Sequence, residues 1–454
     1  MTTTKLSNIE HSLKIQSGTF YIAVWGCQMN VYDADRLRDL LTSSGYTETS
    51  SPDGATVVAL VTCAVRAKAE DKVFNQIASW KHNGQITDST IVALGGCVGT
   101  ELGQKIVEMC PDVSIVFGPR TAHRLPAMIN AYQETQLPVV DVEGNALEKF
   151  DDLPESGKRG PSAFVTIMEG CSNKCTYCIV PYTRGAEESR PLQDILDECM
   201  EHIANGSREI HLLGQNVNSY RGLDENGSTV NFSTLLYEIA ALPGIERLRF
   251  TTSNPMEFND DVIKAIGDLS IISDSIHIPV QSGSDRILEL MHRRYTHDSY
   301  LELVRKIRAV RPSARISSDF IVGFPGEAKE DFEETMRLVE EVKFDQSFSF
   351  IYSKRPGTPA SDMPDSVTME EKQQRLYRLQ NRLEELAAAY SQGYLGTTQR
   401  VLVEGISRKD ETELKSRASC NRIVVFKGDK SLIGQMVDVK ITGVMSHTLK
   451  GDLQ

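Results

Sequence analysis

Short apolar stretches that end at polar or glycine-rich turns recur through the middle of the chain. Six of them have the composition of buried strands: residues 164–168, 209–213, 247–250, 275–278, 316–322 and 346–351. Helix-like stretches lie between them, for example residues 192–204 and 285–291. This alternation predicts a parallel α/β barrel, here an incomplete, TIM-like (β/α)6 barrel. In such barrels the chemistry gathers at the C-terminal ends of the strands.

A second pattern occupies the N-terminal part, where three apolar stretches each lead to a cysteine. Residues 21–25, 56–61 and 90–94 precede Cys27, Cys63 and Cys97, and a helix is expected after each, for example over residues 34–41. Strands joined through helices are parallel neighbours, so their C-terminal ends meet at one edge of a sheet. The pattern therefore predicts an α/β domain with a three-cysteine site. The alternative is three unrelated buried cysteines at strand ends.

The C-terminal part changes to short strands separated by turns, at residues 399–404, 422–426 and 435–441. This pattern predicts a small all-β barrel. A long charged amphipathic helix over residues 370–390 precedes it. The expected domains are residues 19–145, 157–390 and 391–454.

Composition and charge restrict the class of protein. The 454 residues are 40% hydrophobic and 24% charged, as in folded chains of about three domains. The net charge of −13 excludes binding to nucleic acid through overall charge, but residues 391–454 carry +3 against −16 for the rest. Basic residues of this C-terminal module are candidate phosphate contacts, although a solvated surface of mixed charge is the alternative. These residues are Arg400, Arg408, Lys409, Lys415, Arg417 and Arg422.

No apolar run approaches the roughly 18 residues that span a bilayer, and residues 1–18 lack the apolar core of a secretory signal. We therefore expect a cytoplasmic protein without a membrane partner. Disulfides are unusual in that reducing compartment, so the nine cysteines need another explanation. Cys110, Cys199 and Cys420 follow no pattern and are interpreted as bystanders.

The strongest motif is Cys171, Cys175 and Cys178, spaced C-x3-C-x2-C. Three thiolates on one tight loop select zinc or an iron–sulfur cluster. Structural zinc usually has four protein ligands, and no fourth cysteine or histidine lies close by in the chain. Three cysteines on a [4Fe–4S] cluster leave one iron open to a substrate or cofactor. Zinc, or three buried thiols, remains the alternative.

This spacing, with an aromatic residue before the third cysteine, resembles the radical S-adenosylmethionine (SAM) superfamily. The resemblance implies that the open iron binds SAM and that an electron from the cluster cleaves it to methionine and a 5′-deoxyadenosyl radical. It also assigns roles to the strand-end turns. Gly214, Gln215 and Asn216 would meet the methionyl amino group, and Gln281 and Ser282 would approach the ribose or carboxylate. Ile321 and Gly323 belong to the loop expected against adenine, and Tyr352 completes the candidate SAM contacts. The alternative for each is an ordinary tight turn, which favours the same residue types.

Two three-cysteine sites in this order resemble the methylthiotransferase family of radical SAM enzymes, from about Thr19 to the C-terminus. The motifs at residues 26–30, 178–185, 213–218 and 353–359 are most similar to members that add a methylthio group to C2 of N6-isopentenyladenosine at position 37 of tRNA. Members acting on a ribosomal-protein aspartate typically read Gly-Cys-Pro-Lys-Asn in the first motif, and those acting on threonylcarbamoyladenosine read Gly-Cys-Lys-Val-Asn. Gln28 and Met29 differ from both. These two acceptors remain the alternatives.

The resemblance further implies two [4Fe–4S] clusters, with Cys27, Cys63 and Cys97 as ligands of the second, and SAM as a cosubstrate used twice per turnover. The C-terminal module is similar to the OB-like TRAM domain, which binds RNA. Expected partners are the tRNA anticodon stem–loop, an electron donor such as flavodoxin and a sulfur or cluster donor protein, with the chain itself a monomer. No titrating catalytic residue is expected, because cluster and SAM chemistry act on C2. The competing class is a non-enzymatic RNA-binding iron–sulfur scaffold or sensor.

Overall fold

The computed structural model describes residues 18–63, 68–145, 147–150 and 154–454. The polar N-terminal segment, residues 1–17, lies outside the described residues. The chain divides into two compact units. The first unit comprises the residues up to Gly157 together with residues 169–173 and 179–188. The second unit comprises residues 158–168, 174–178 and 189–454.

A parallel sheet with helices on both faces forms most of the first unit. Its elements, in chain order, are β1 (Gly18–Val24), α1 (Gln28–Ser43), β2 (Tyr46–Glu48), β3 (Val57–Thr62), α2 (Lys68–His82), β4 (Ile91–Gly96), α3 (Cys97–Leu102), α4 (Lys105–Met109), β5 (Ile115–Phe117), α5 (Leu125–Thr135) and β6 (Val139–Asp141). Turns of 3-10 helix lie at Ala122–Arg124 and Glu148–Phe150.

The strand order of this sheet is β2-β1-β3-β4-β5-β6, and every pair is parallel. The central strands β3 and β4 are buried along their whole length, because hydrophobic cores cover both faces of the sheet. Continuous apolar runs are typical of strands in this position. The prediction that the strands before Cys27, Cys63 and Cys97 are parallel neighbours is confirmed, since β1, β3 and β4 are adjacent.

Alternating strands and helices follow in the middle of the chain. They are β7 (Ser162–Thr166), β8 (Met168–Glu169), α6 (Val180–Thr183), β9 (Glu188–Ser189), α7 (Leu192–Ala204), β10 (Glu209–Leu213), β11 (Arg221–Leu223), β12 (Thr229–Asn231), α8 (Phe232–Ala240), β13 (Arg247–Phe250), α9 (Asp260–Asp268), β14 (Ser275–His277), α10 (Asp285–Leu290), α11 (His297–Val310), β15 (Arg315–Ser317), β16 (Asp319–Val322), α12 (Lys329–Val342), β17 (Phe348–Ile351) and α13 (Met369–Gln392). Turns of 3-10 helix lie at Val217–Ser219, Pro255–Glu257 and Pro359–Asp362.

The strands that form the barrel pair in parallel, whereas the short hairpin strands β11 and β12 are antiparallel. Within the second unit β7, β10 and β13 form one sheet, β14 pairs with β15, and β16 pairs with β17. Parallel bridges at Leu248–Ile272 and Gln281–Phe320 link these groups. The structure describes no pairing between β7 and β17 in the ranges given above, so the barrel is open there. The predicted incomplete barrel of alternating strands and helices is confirmed.

The last part of the chain is a closed five-stranded barrel, and it confirms the predicted all-β module. Its strands are β18 (Thr398–Ile406), β19 (Glu413–Ala418), β20 (Ile423–Lys427), β21 (Met436–Val444) and β22 (Thr448–Leu453), with a 3-10 turn at Lys430–Leu432. They close in the order β18-β19-β20-β22-β21.

Buried arginines join this barrel to the rest of the second unit. Arg249 donates to the carbonyl oxygens of Ala418 at 2.8 Å and Ser419 at 3.2 Å. Arg247 donates to the carbonyl oxygen of Arg417 at 2.9 Å. Both guanidinium groups also form ion pairs with the Glu209 carboxylate, which compensates their positive charges. Among the described residues, none of the helices combines the length and the apolar character needed to cross a membrane.

Candidate functional site

The three N-terminal cysteines lie at the C-terminal ends of adjacent strands. Cys27 follows β1 and caps the N-terminus of α1, Cys63 follows β3, and Cys97 is the first residue of α3, directly after β4. Cys63 and Cys97 are buried and Cys27 is half-buried. Because the three strands are parallel neighbours, all three thiols belong to one edge of the sheet.

Two glycines allow the backbone to approach at this edge. Gly26 has φ of +121°, and a Cβ there would lie 2.3 Å from the Cβ of Cys63. Gly96 has φ of +88°, and a Cβ there would lie 2.2 Å from the carbonyl oxygen of Thr62. Both the positive φ and the lack of space require glycine at each position. The strand ends therefore pack closely around the cysteines.

The Cys27 thiol has a lowered pKa. The neighbouring Cys63 side chain lowers the pKa of Cys27 to about 6, against the effect of burial. The Arg184 charge and the backbone amides of Asn30 and Met29, in the first turn of α1, lower it further. A thiol in this environment is readily converted to the thiolate that binds metals.

A closed set of four buried charges lies in the same unit. The Asp33 carboxylate lies 2.9 Å from Lys149 Nζ and 3.2 Å from Arg184 Nη2. The Glu169 carboxylate lies 2.8 Å from Lys149 Nζ and 2.7 Å from Arg184 Nη1. Each acid thus pairs with both bases, and all four side chains are at most 5% exposed. We refer to Asp33, Lys149, Glu169 and Arg184 as the charge quartet.

The central cysteine motif is divided between the two units. In the first unit, Cys171 follows Gly170, which has φ of +78°, and its amide donates to the carbonyl oxygen of Gly185 at 3.0 Å. Asn173 Nδ2 lies 3.5 Å from Cys171 Sγ. These hydrogen bonds hold the start of the loop in a fixed conformation.

In the second unit, the rest of the motif packs against α10 and the segment after it. Arg293 Nη1 donates to Cys175 Sγ at 3.3 Å. Thr176 is bonded through its hydroxyl to the carbonyl oxygen of Leu290 and through its amide to that of Met291. Tyr177 packs in a small apolar cluster with Ile321 and Tyr352. This cluster brings Tyr177 of the cysteine motif together with residues at the ends of β16 and β17.

The donor chemistry of both motifs suits an iron–sulfur cluster. None of the nine cysteines, all of which lie among the described residues, is in a disulfide bond. The structure describes no group of three or more His, Cys, Asp or Glu side chains spaced to hold a single metal ion in the ranges that it covers. Each set offers three thiolates, with Arg184 near Cys27 and Arg293 beside Cys175, and three thiolates suit a [4Fe–4S] cluster with one open iron.

The remaining cysteines have structural surroundings. Cys199 is fully buried in α7, and burial raises its pKa well above the ordinary value. Cys420 is buried in the core of the C-terminal barrel. Burial also raises the pKa of Cys110. These surroundings match the interpretation of the three as bystanders.

Unpartnered polar atoms lie at the barrel strand ends where SAM was predicted to bind. The side-chain atoms Asn216 Oδ1, Ser253 Oγ and Tyr352 OH are buried without a hydrogen-bond partner among the described residues. They follow β10, β13 and β17, respectively. Buried polar atoms normally have partners, so a polar ligand at this end of the barrel would satisfy them. Ser253 was not singled out in the sequence, although its turn was noted at a strand end.

Three other predicted SAM contacts, Gly214, Gln281 and Ser282, are held by contacts within the protein. Gly214 is buried, and a Cβ there would lie 2.4 Å from Met168 Cγ. Gln281 has φ of +70°, rare outside glycine, and is held by backbone hydrogen bonds to Asp319 and Ile321. The Ser282 hydroxyl is buried 3.3 Å from Thr335 Oγ1, so it already has a partner inside the protein.

Two further candidates lie in the turns after β10 and β16. Gln215, next to Asn216, is half-buried. Gly323 has φ of +66°, and its amide donates to Glu327 Oε2 at 2.7 Å.

Sequence reasoning missed Arg293 and the charge quartet. Arg184 stands inside the quoted motif at residues 178–185, which was the available signal, but Arg293 has none.

The predicted phosphate contacts need one correction. Arg422 is not a surface residue: it is 2% exposed and makes two hydrogen bonds of 2.7 Å to the Asp345 carboxylate. This bidentate pair occupies the guanidinium, so Arg422 joins the barrel to the core instead. Lys415 and Arg417 pair with Glu404. Arg408 and Lys409 are exposed in the loop between β18 and β19 and remain candidates.

Comparisons with known proteins agree with this architecture. Three family models match the chain: "Uncharacterized protein family UPF0004" over residues 19–118, "Radical SAM superfamily" over 165–339 and "TRAM domain" over 392–453. Among solved structures, the chain is similar to the radical SAM methyltransferase TsrM from Kitasatospora setae with cobalamin and a [4Fe–4S] cluster bound. The TM-score is 0.55 at 16% identity, over 76% of this chain and 74% of that one.

A second similar structure is the cobalamin-dependent SAM radical enzyme OxsB, with a TM-score of 0.51 at 14% identity over 82% of this chain. The chain spans only 56% of that structure's length. At these identities the two likenesses show the fold.

Sequence relatives are much more similar. Proteins of Mannheimia succiniciproducens and Haemophilus influenzae, both named tRNA-2-methylthio-N(6)-dimethylallyladenosine synthase, are 53% and 52% identical over 434 residues. Each match covers 95% of this chain and 92% of the relative. The predicted cofactors, SAM and [4Fe–4S] clusters, are those of the radical SAM superfamily. The names do not favour the alternative acceptors. The chain belongs to the family of tRNA-2-methylthio-N(6)-dimethylallyladenosine synthases, which are radical SAM enzymes.

Proposed function

We propose that this chain adds a methylthio group to C2 of N6-dimethylallyladenosine at position 37 of tRNA. The observation that carries the proposal is the identity of 53% over 95% of the chain to a relative that bears this name. The C-terminal barrel, matched by the TRAM model, supplies the element expected to bind RNA.

We assign the two three-cysteine sets as the ligands of two [4Fe–4S] clusters. Cys171, Cys175 and Cys178 would hold the cluster that binds SAM. Two observations support this assignment: the three cysteines lie within one stretch of eight residues, and that stretch is inside the match to the radical SAM model. Cys27, Cys63 and Cys97 would hold the second cluster, supported by their position at one edge of the N-terminal sheet. Two SAM molecules per product are proposed, one as methyl donor and one as radical source.

When bound, the clusters and SAM supply the electron, the radical and the sulfur carrier that replace the unactivated hydrogen at C2 of adenine. The protein's own residues position these groups and exclude water. Tyr177, Ile321 and Tyr352 form an apolar wall beside the cysteine motif. Asn216, Ser253 and the Tyr352 hydroxyl offer unpartnered polar atoms to SAM. Gln281 and Gly323 shape the backbone of two neighbouring turns through their positive φ.

Further parts of the proposal concern partners and organisation. We propose domains at residues 19–145, 157–390 and 391–454, a monomeric chain, and the anticodon stem–loop as the region of tRNA that is bound. The modified base must leave its stack, which costs little in a single-stranded loop. An electron donor such as flavodoxin and a sulfur or cluster donor protein complete the set. We also propose a cytoplasmic location, which is expected of an enzyme that acts on tRNA.

The test is a reaction of the reconstituted protein with SAM, a one-electron reductant and tRNA that carries N6-dimethylallyladenosine. We expect 5′-deoxyadenosine together with the methylthio nucleoside, measured by mass spectrometry. Ribosomal protein and tRNA carrying threonylcarbamoyladenosine serve as the rival acceptors. A Cys175→Ala variant is the control and should give neither product. Modification of a rival acceptor only, or absence of 5′-deoxyadenosine in the intact protein, would contradict the proposal.

A further inference from the structure

The charge quartet carries no net charge, but its members do not stand in equivalent places. Arg184 and Lys149 have the same partners, Asp33 and Glu169, and nearly the same exposure, 3% and 5%. Taking charges out of water is costly, and each is compensated here by two opposite charges. Mutual pairing therefore accounts for the burial of all four charges. It does not account for the position of one of the two bases close to the N-terminal cysteines.

Arg184 is that base, and a side-chain amide links it to Cys27. Its Nη2 donates to Asn30 Oδ1 at 3.3 Å, and Cys27 Sγ lies 4.0 Å from the same oxygen. Asn30 is itself held by a hydrogen bond of 2.7 Å from its Nδ2 to the carbonyl oxygen of Trp25. The guanidinium, the amide and the thiol thus form a fixed row.

A second contact places Arg184 near Cys97. Helix α6 (Val180–Thr183), which ends directly before Arg184, packs against α3, which begins at Cys97. Burial opposes the charged guanidinium, yet Glu169, Cys97, Asp33 and Cys27 together raise the pKa of Arg184 well above its ordinary value. Burial alone would lower the pKa of Lys149, but Asp33 and Glu169 raise it above its ordinary value. The positive end of the quartet is thus directed at the N-terminal cysteines.

We propose that the positive charge of Arg184 raises the reduction potential of the cluster held by Cys27, Cys63 and Cys97. The inference rests on the proposed function, which assigns that cluster. Adding an electron makes a thiolate-bound cluster more negative, so a nearby fixed positive charge stabilises the reduced form more than the oxidised form. The effect is large because the surroundings are buried and screen charge poorly.

The test uses the full-length chain with Cys171, Cys175 and Cys178 replaced by alanine, so that only the N-terminal cluster is present after reconstitution. Its midpoint potential is measured by a redox titration followed by electron paramagnetic resonance. Arg184→Met should lower the ratio of reduced to oxidised cluster at a fixed potential at least tenfold, which is about 59 mV for a one-electron couple. Arg184→Lys should retain most of the parent potential.

Lys149→Met is the matched control, because it removes the same charge from the same two acids at the same burial. We expect its shift to be less than half of the shift in Arg184→Met. Equal shifts would show that Arg184 acts only through the neutrality of the quartet and would overturn the inference. The Arg184→Met chain could fail to retain a cluster, so Asn30→Asp provides an independent measurement. This substitution places a negative charge in the row and should also lower the potential, and an unchanged potential would overturn the inference.

Failure of the proposed function gives a different result. If the parent with the three alanine substitutions binds no iron, then Cys27, Cys63 and Cys97 are not cluster ligands, and both proposals fall. If it binds about four irons but its potential is unaffected by Arg184→Met and Asn30→Asp, only the role of Arg184 is wrong.

Discussion

Arg422 illustrates how a single buried pair determines the role of a residue. It makes hydrogen bonds to Asp345, to the Ser391 hydroxyl at 2.9 Å and to the carbonyl oxygen of Ala387 at 3.0 Å. Arg422→Met would leave the Asp345 carboxylate buried without its partner. We expect a loss of about 3–5 kcal/mol in the free energy of unfolding, measured with denaturant.

The control for this measurement is Arg400→Met. Arg400 is 58% exposed and pairs with Glu246 at 3.5 Å, so its removal should cost at most about 1 kcal/mol. A similar small loss for both variants would contradict the structural role of Arg422. The tRNA affinity of folded Arg422→Met should keep its dependence on salt, since the guanidinium is not available to phosphate.

His211 predicts a pH dependence of stability. Burial is the main cause that lowers its pKa to about 4, and Arg249 adds to the effect. Between that value and the ordinary 6.5, the unfolded chain binds a proton that the folded chain does not. Protonation therefore favours unfolding, and this residue's contribution to stability falls as the pH drops from about 6.5 towards 4.

The measurement compares the midpoint of denaturant unfolding for the parent and His211→Gln at pH 7 and at pH 5. The parent should lose more stability across this interval than the variant does. Glu209 does not interfere, because its folded pKa of about 2 makes its contribution disappear only below the ordinary value of 4.5. Parallel losses in the two proteins would show that the pKa of His211 is the same in the folded and the unfolded chain.

Secondary structure elements decide whether the two cysteine sets are independent. The ligands proposed for the second cluster follow β1, β3 and β4 in the first unit, whereas Cys175 and Cys178 belong to the second unit. Replacing Cys171, Cys175 and Cys178 by alanine should leave about four irons per chain. Iron and sulfide analysis measures this, and a complete loss of iron would contradict two separate sites.

The converse variant separates radical formation from sulfur transfer. Cys27→Ala should still produce 5′-deoxyadenosine from SAM, because the strand-end turns and the central cysteine motif are unchanged. It should form no methylthio nucleoside, because the proposed sulfur carrier is lost. Mass spectrometry of both products is the measurement. Normal methylthio product from this variant would remove Cys27 from the proposed site.

The elements could be predicted wherever local pattern determines them. Residues 192–204 coincide with α7, because their apolar positions recur with the period of a helix. Residues 247–250 coincide with β13, because this stretch has the length of a buried strand. The predicted strand at 316–322 is divided into β15 and β16 by Ser318, whose hydroxyl bonds to the Ile278 carbonyl oxygen. Strands β19 and β22 were not predicted, since Glu413–Ala418 and Thr448–Leu453 are rich in polar residues.

The candidate site was predictable only in its cysteines and turns. Parallel neighbours bring strand ends together, so the pattern of Cys27, Cys63 and Cys97 sufficed for a shared edge. The charge quartet was not predictable, because its members come from positions 33, 149, 169 and 184 and only the folded chain unites them. Arg422 was assigned wrongly for the same reason: its partner Asp345 lies 77 residues earlier.

At the scale of the whole molecule, the C-terminal barrel has two roles that a deletion could not separate. Its carbonyl groups accept hydrogen bonds from Arg247 and Arg249, and Arg422 satisfies Asp345. Removing residues 391–454 would leave these buried charges unsatisfied, so the rest of the second unit would be destabilised. Surface substitutions on the intact chain are the better test of RNA binding.

Arg408 and Lys409 are suited to that test, because both are exposed in one loop of the barrel. If they contact phosphates, the double variant Arg408→Gln, Lys409→Gln should bind tRNA more weakly. The slope of log K against log salt should fall by up to roughly 0.7–0.9 for each lost contact. The control is Lys264→Gln with Lys306→Gln, which removes the same charge from exposed positions on α9 and α11. Affinity measured at several salt concentrations decides between two arrangements. A slope that falls in the barrel variant alone places the RNA on this loop, whereas equal slopes in the parent and both variants would place recognition elsewhere on the molecule.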